Sequence, residues 1–284
     1  MSDHVILLGT KGGPAIRHGS PMPTSSLVRL SGQSIVVDCG LGVTRALADQ
    51  GFALKDLGSI VITHLHSDHY LELGPLLHTA WTAGLKTPVQ VYGPTGLTHY
   101  WNGFLTSMAE DIATRIEDEG RPDLATLITL HPLMAGDSVT LGPVTLDTIA
   151  SLHPPLTESL SLRFRTHRKT VVFSGDTAPN PALAPFAQGA DLLIHEAMLD
   201  EALVPLAARV GNGDGRLLLH LRRSHTAAGD AAQTATEAGV KALALHHLIP
   251  SDDPDYDERD WREAVAPFFS GTLYVGKDGM KLPV

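Results

Sequence analysis

Four potential metal ligands stand within six positions in His64-Leu65-His66-Ser67-Asp68-His69. Imidazole nitrogen and carboxylate oxygen are donors that zinc and similar borderline cations accept, and a turn this short can offer them to two adjacent ions. A lone histidine reads first as a packing residue, whereas four ligand types in one turn read as metal binding. Further candidates follow at His153, Asp176, His195 and the pair His246-His247. The chain holds 15 histidines, and their positions carry more weight than their number, because histidine serves both as ligand and as proton carrier.

Each candidate follows a short apolar run that reads as a buried strand. Residues 59–63 precede His64, 144–149 precede His153, 170–174 precede Asp176, 191–194 precede His195, and 241–245 precede His246-His247. Another such run covers 34–38. Helical patterns lie between them at 43–50, 72–84 and 226–239, the last opening on the capping-type Thr226 and closing at Gly239. The class is mixed α/β, and layered α/β folds gather functional residues outside one edge of a sheet, where these strand ends could meet. Between Gly96 and Leu130 the rhythm changes. Leu97, Tyr100, Trp101, Phe104, Leu105, Met108 and Ile112 follow helical spacing, which predicts an inserted amphipathic helix. It either packs on the core or serves as a lid or dimer contact, and its aromatic residues are expected to border the active-site mouth. No fixed repeat, low-complexity tract or long linker divides the chain, so residues 1–284 are expected to form one domain.

A chain of 284 residues with 43% hydrophobic content can bury a sizeable core without disulfides. Its one cysteine, Cys39, follows an apolar run and reads as a buried, inert thiol. The apolar runs are far below the roughly 20 residues that cross a bilayer, and Met1-Ser2-Asp3-His4 lacks the basic start of a secretory signal. The expected setting is cytoplasmic. A net charge of −10 repels nucleic-acid backbones and disfavours a polynucleotide substrate. Arg222 and Arg223 either meet an anionic substrate group or lie solvated at the surface. The acidic run Asp252-Asp253-Pro254-Asp255 reads as a solvated loop.

Taken in order, His-x-His-x-Asp-His, a single later histidine, Phe173-Ser174-Gly175-Asp176-Thr177 and a late histidine resemble the metallo-β-lactamase superfamily over nearly the whole chain. Leu8 to Pro14 and Val37 to Gly40 resemble the first strands of its fold. The resemblance therefore implies a four-layer αββα sandwich with a helical insertion at 96–130. It implies one metal held by His64, His66 and His153 and another by Asp68, His69 and His247, with Asp176 bridging. Two zinc ions are implied, manganese or iron being alternatives. Leu245-His246-His247-Leu248-Ile249-Pro250 resembles the family's leucine, any residue, histidine, leucine, valine, proline, which favours His247 as ligand and leaves His246 a packing or supporting role. Within the superfamily the chain resembles the ribonuclease Z-like branch, especially its arylsulfatase-like members, through His195-Glu196-Ala197, Ser224-His225-Thr226 and Phe173 to Pro179. That likeness implies His225 as proton donor and Glu196 as its orienting partner, with Asp68 also counted as catalytic. A helix-start role for His225 and a buried strand-end role for His195 are the alternatives. The interval from His153 to Asp176 is too short for the tRNA-gripping arm of many ribonuclease Z enzymes, and Ser159 to Leu162 replace an aromatic usual there. A homodimer is also implied.

Two such metals lower the pKa of a shared water, so a metal-bridging hydroxide is the expected nucleophile. The sequence reads as a dinuclear metal-dependent hydrolase of a small ester, an aryl sulfate or phosphodiester first and a lactone or carboxylic ester second. The competing class is a non-hydrolytic metal-binding or di-iron redox module, for which a flavin-binding partner domain would be expected as added length. Glu196 and His225 favour hydrolysis, because a storage site needs no leaving-group acid.

Overall fold

The computed structural model describes residues 3–284; Met1 and Ser2, on which part of the expectation about a signal rests, lie outside them. In the strand His4–Gly9 (β1), Val5 and Leu7 enter one apolar cluster while Ile6 and Leu8 enter another. Side chains alternate along a strand, so a run apolar at every position belongs to a sheet covered on both faces. The same partition recurs at Ile35 and Val37 against Val36, and at Val171 and Phe173 against Val172.

The strands continue with Ser25–Leu30 (β2), Gln33–Val37 (β3), Ser59–Val61 (β4), Val89–Gly93 (β5), Ile128–Pro132 (β6), Ser138–Leu141 (β7), Val144–Ala150 (β8), Leu160–Arg165 (β9), Thr170–Phe173 (β10), Leu192–Met198 (β11), Ala242–Ile249 (β12), Thr272–Val275 (β13) and Met280–Pro283 (β14). They form two seven-stranded sheets, ordered β14-β1-β2-β3-β4-β5-β6 and β13-β12-β11-β10-β9-β8-β7. Pairing is parallel from β3 to β6 and from β10 to β13, and antiparallel elsewhere. One cluster fills the space between the sheets. A second lies under the helices Val43–Asp49 and Leu73–Thr82, and a third under Ala228–Ala238 and Glu258–Val265. This is the four-layer αββα sandwich, and every site-bearing strand expected from the sequence is present.

Two expectations change. Thr226 does not cap the helix Ala228–Ala238: its cap is Ala227, and the Thr226 hydroxyl donates to the Thr177 carbonyl at 2.6 Å. Gly239 closes that helix in the left-handed region, as expected. The 96–130 insertion folds as Leu97–Ser107, Ala109–Glu119 and Leu124–Leu127 before entering β6. Trp101 is 4% exposed, stacks on Phe104 at 5.6 Å and belongs to the core beneath Leu73–Thr82. Tyr100 accepts from the Gly74 N–H at 3.0 Å and donates to the Leu71 carbonyl. A Cβ at Gly74 would collide with the Phe104 ring. The aromatic stripe is thus spent on helix packing and does not line the mouth of the site. Among the described residues, no helix is long and apolar enough to cross a membrane.

Candidate metal centre

The ends of β4, β8, β10 and β12 bring seven residues to one place. His64, His66, His153 and Asp176 offer ligand atoms within 4.8 Å of one another, and so do Asp68, His69 and His247. One carboxylate oxygen lies between the two groups. Asp176 Oδ2 is 3.7 Å from His64 Nε2, 3.9 Å from His153 Nε2, 3.3 Å from His69 Nε2 and 3.1 Å from His247 Nε2.

Local backbone explains these positions. After β4 the chain turns into the short helix Ser67–Tyr70, which sets Asp68 and His69 beside His66 at its start. Gly175 has φ of 59°, and a Cβ there would strike the Leu160 carbonyl, so glycine lets Asp176 turn inward. On β12, Glu196 pairs with His246 and Ala197 with Leu248, which leaves His247 as the extra residue of a bulge. Its φ of 46° is left-handed, and such a bulge re-aims one side chain out of the strand's alternation. His246 keeps its place in the ladder and its Nε2 meets the Gly9 carbonyl at 2.8 Å. His247, not His246, therefore faces the cluster.

The donor set fits cations. Two ring nitrogens pointing away from the centre are anchored, His153 Nδ1 on the Ser224 carbonyl at 2.8 Å and His69 Nδ1 on Asp38 Oδ2 at 2.8 Å, whereas His247 Nδ1 is buried without a hydrogen-bond partner. A carbonyl partner requires a proton on Nδ1, which leaves Nε2 of His153 with its lone pair toward the centre. His69 Nε2 is buried and has no hydrogen-bond partner, an expensive condition that a bound cation would relieve. Burial alone would lower His69, yet Asp176, Asp38 and Asp68 pull it well above the usual histidine range. Asp176 and Asp68 lie on the Nε2 side of the ring, where a metal would sit, and Asp38 on the Nδ1 side. Burial pushes His64 well down, and His153 down to about 4, keeping these imidazoles neutral as ligands must be. Burial would raise Asp68 and Asp176, but His69 and His247 hold both down and ionised.

A family model described as Anti-Pycsar protein Apyc1 matches residues 4–205. Ribonuclease Z of Mycobacterium bovis (strain BCG / Pasteur 1173P2) is 31% identical, the match covering 96% of this chain and 95% of that protein. Ribonuclease Z of Mycobacterium sp. (strain KMS) is 34% identical over 96% of this chain and 93% of its own. The chain is a member of the Apyc1 family and of the ribonuclease Z-like, metallo-β-lactamase fold proteins. In fold it is similar to the metallo-β-lactamase fold protein YhfI from Bacillus subtilis (TM-score 0.72, 22% identity, 99% of each chain) and to the human short-form tRNase Z (TM-score 0.67, 20% identity, 99% and 100%). Fold and ligand set together are those of a metallo-hydrolase.

The remaining candidates of this ribonuclease Z-like chain divide clearly. His225 lies beside the cluster, its ring stacked 5.3 Å from that of His247, and its Nδ1 sits 3.0 Å from Glu196 Oε2 and 3.1 Å from Oε1. Glu196 Oε1 also accepts from the Thr177 N–H at 2.7 Å. Burial drives Glu196 well up and His225 down. Desolvation is the largest influence on His225 and outweighs the carboxylates Asp176 and Asp68 that would raise it. His195 points away from the centre, buried, with Nδ1 on the Glu196 carbonyl at 2.6 Å. Arg222 and Arg223 are exposed and outside the cleft.

The cluster floors a cleft of about 400 Å³. Its wall is apolar, from Leu206, Val210, Leu217, Leu221 and Ile249, and comes from the helices Leu203–Val210 and Arg216–Ser224 together with β12. Several residues here were not singled out from sequence. Asp38 accepts from the Thr63 N–H at 2.8 Å while holding His69. His220 stands 5.7 Å from the His225 ring and 5.9 Å from that of His153. The Gly13 N–H donates to Asp68 Oδ2 at 2.8 Å. Lys11 and Arg17 line the cleft as well. Asp38 follows an apolar run as the ligands do, which was its one available signal.

Proposed function

We propose that this chain is a two-metal phosphodiesterase acting on a small ester. The observation that carries the reading is Asp176 Oδ2, placed within 3.1–3.9 Å of four imidazole nitrogens drawn from both ligand groups. In this reading His64, His66 and His153 hold one cation, Asp68, His69 and His247 the other, and Asp176 both. Two zinc ions, or manganese or iron, would supply an activated water and offset the charge that builds on the phosphoryl oxygens.

The chain's own residues do the rest. Asp68, held by the Gly13 N–H, is fixed in place on the floor of the cleft. Glu196 anchors Nδ1 of His225, so that the ring in its charged form would pass the Nε2 proton to the departing oxygen and return to neutral. The apolar wall excludes water and packs against the organic part of the ester. We read residues 1–284 as one catalytic unit in a cytoplasmic setting, in keeping with the buried free thiol of Cys39.

Phosphodiester precedes the other esters because the curated relatives bear the name ribonuclease Z. The same names stand against the expectation that charge disfavours nucleic acid, so RNA belongs among the test substrates. The experiment is a panel of nitrophenyl phosphodiester, phosphomonoester, sulfate and carboxylate esters with an RNA transcript, run on metal-quantified protein. The reading requires chelator-sensitive turnover that is fastest on a phosphodiester. A sulfate or carboxylate ester that outruns the diesters would replace it with the arylsulfatase-like or the esterase alternative.

A further inference from the structure

One corner of the cleft carries charge that metal binding does not use. Lys11 leaves the Gly-rich segment after β1 and lines the cleft with Arg17. Its side chain is 6% exposed, and its ammonium makes one hydrogen bond, to the Gly12 carbonyl at 3.2 Å. An ammonium has three protons to place, and a desolvated cation is costly unless paired. Its ion pair with Asp252 Oδ2 is loose, at 3.8 Å. Arg17 Nη1 already holds that same oxygen at 2.6 Å, while Arg209 Nη2 lies 3.5 Å from the other, which has no hydrogen-bond partner. Asp253 takes Arg209 Nη1 at 3.0 Å. The acidic run expected as a solvated loop is thus anchored at its start, since the Asp252 side chain is 5% exposed. Three cations share these two carboxylates, and Lys11, the most loosely paired, is left with ammonium protons to place. Lys11 is also within electrostatic reach of Asp68, so this corner adjoins the metal floor.

We infer that Lys11, with Arg17 beside it, forms an anion-recognition corner that selects esters carrying a second negative group, a carboxylate or phosphate, on the part of the substrate away from the bond that breaks. Asp252 is the positioning residue that gathers the cations. The metal floor takes the reacting phosphoryl group, and the corner takes the second charge through charge-assisted hydrogen bonds. The sequence offered Arg222 and Arg223 for anion recognition; the folded chain puts Lys11 and Arg17 there instead.

The inference rests on the proposed reaction only for the orientation of the ester, and its test reads binding, not turnover. Metal-loaded protein is titrated calorimetrically with phenylphosphonate and with 4-carboxyphenylphosphonate. The wild-type chain should bind the carboxylated probe about 10-fold more tightly, the scale of one partly desolvated charged contact. Lys11→Met should remove the preference, and Arg17→Gln, at a side chain 36% exposed and so tolerant of change, should reduce it. Arg222→Gln, outside the cleft, should keep it. Equal affinities in the wild-type chain, or a preference that survives both Lys11→Met and Arg17→Gln, would overturn the inference. A chain that shows the preference but hydrolyses no diester would sink the proposed reaction and leave the anion corner standing.

Discussion

In the proposed reaction His225 governs the last step, because attack on an ester leaves an oxygen that needs a proton. Its Nδ1 is held by Glu196, and its ring touches the ligand cluster through stacking on His247. His225→Ala should therefore keep both metals while lowering turnover by ~10²–10⁴-fold on an ester with a poor leaving group. The loss should shrink for nitrophenol, which departs without help; equal losses across leaving groups of widely different pKa would contradict the role. His195 differs in kind, because it is buried away from the centre and burial lowers it to about 4. The sign follows from that depression. Between pH 6.5 and 4 the unfolded chain takes a proton on this residue that the folded chain refuses, so stability falls as pH falls. The full effect is roughly 3 kcal/mol. Urea unfolding of His195→Gln across this window should give a shallower pH dependence than the wild-type chain, by up to one proton. An unchanged slope would show that His195 titrates normally.

At the scale of elements, the sandwich sets strand ends beside one another, and single backbone devices then aim the side chains. Which of two adjacent histidines faces the site is a question of backbone, answered by the bulge at His247. Motif resemblance selected His247 without showing why; the reason lies in the pairing of β11 with β12, which no local pattern in residues 242–249 encodes. Helical spacing revealed the 96–130 insertion but not its partner. An amphipathic stripe has the same appearance whether it covers a substrate or a neighbouring helix, and here it covers Leu73–Thr82. Trp101→Ala should accordingly cost ~3–5 kcal/mol of stability, as large-to-small core changes do, measured by chemical denaturation. The folded fraction should keep the wild-type Michaelis constant. A raised constant at unchanged stability would return the helix to the mouth of the site.

For the whole molecule, the residues that cluster were legible because they are ligand types standing at, or a few positions beyond, the end of an apolar run. Asp38, Lys11 and Asp252 were harder to see because their meaning depends on partners far along the chain, as with Lys11 and Asp252, distant in sequence, whose charged groups the fold brings to 3.8 Å. Net charge is likewise silent on local pairing, since Lys11 and Arg17 line the cleft beside Asp68, Asp176 and Asp252. A total of −10 describes the surface at long range, whereas a cleft responds to the few charges that line it. The account as a whole rests on two cations held in one cluster around Asp176. Elemental analysis of purified, metal-supplemented protein tests that claim most directly. It should return two metal ions per chain for the wild-type protein, with both lost or weakened in Asp176→Ala; a stoichiometry that stays below one per chain after supplementation would contradict it.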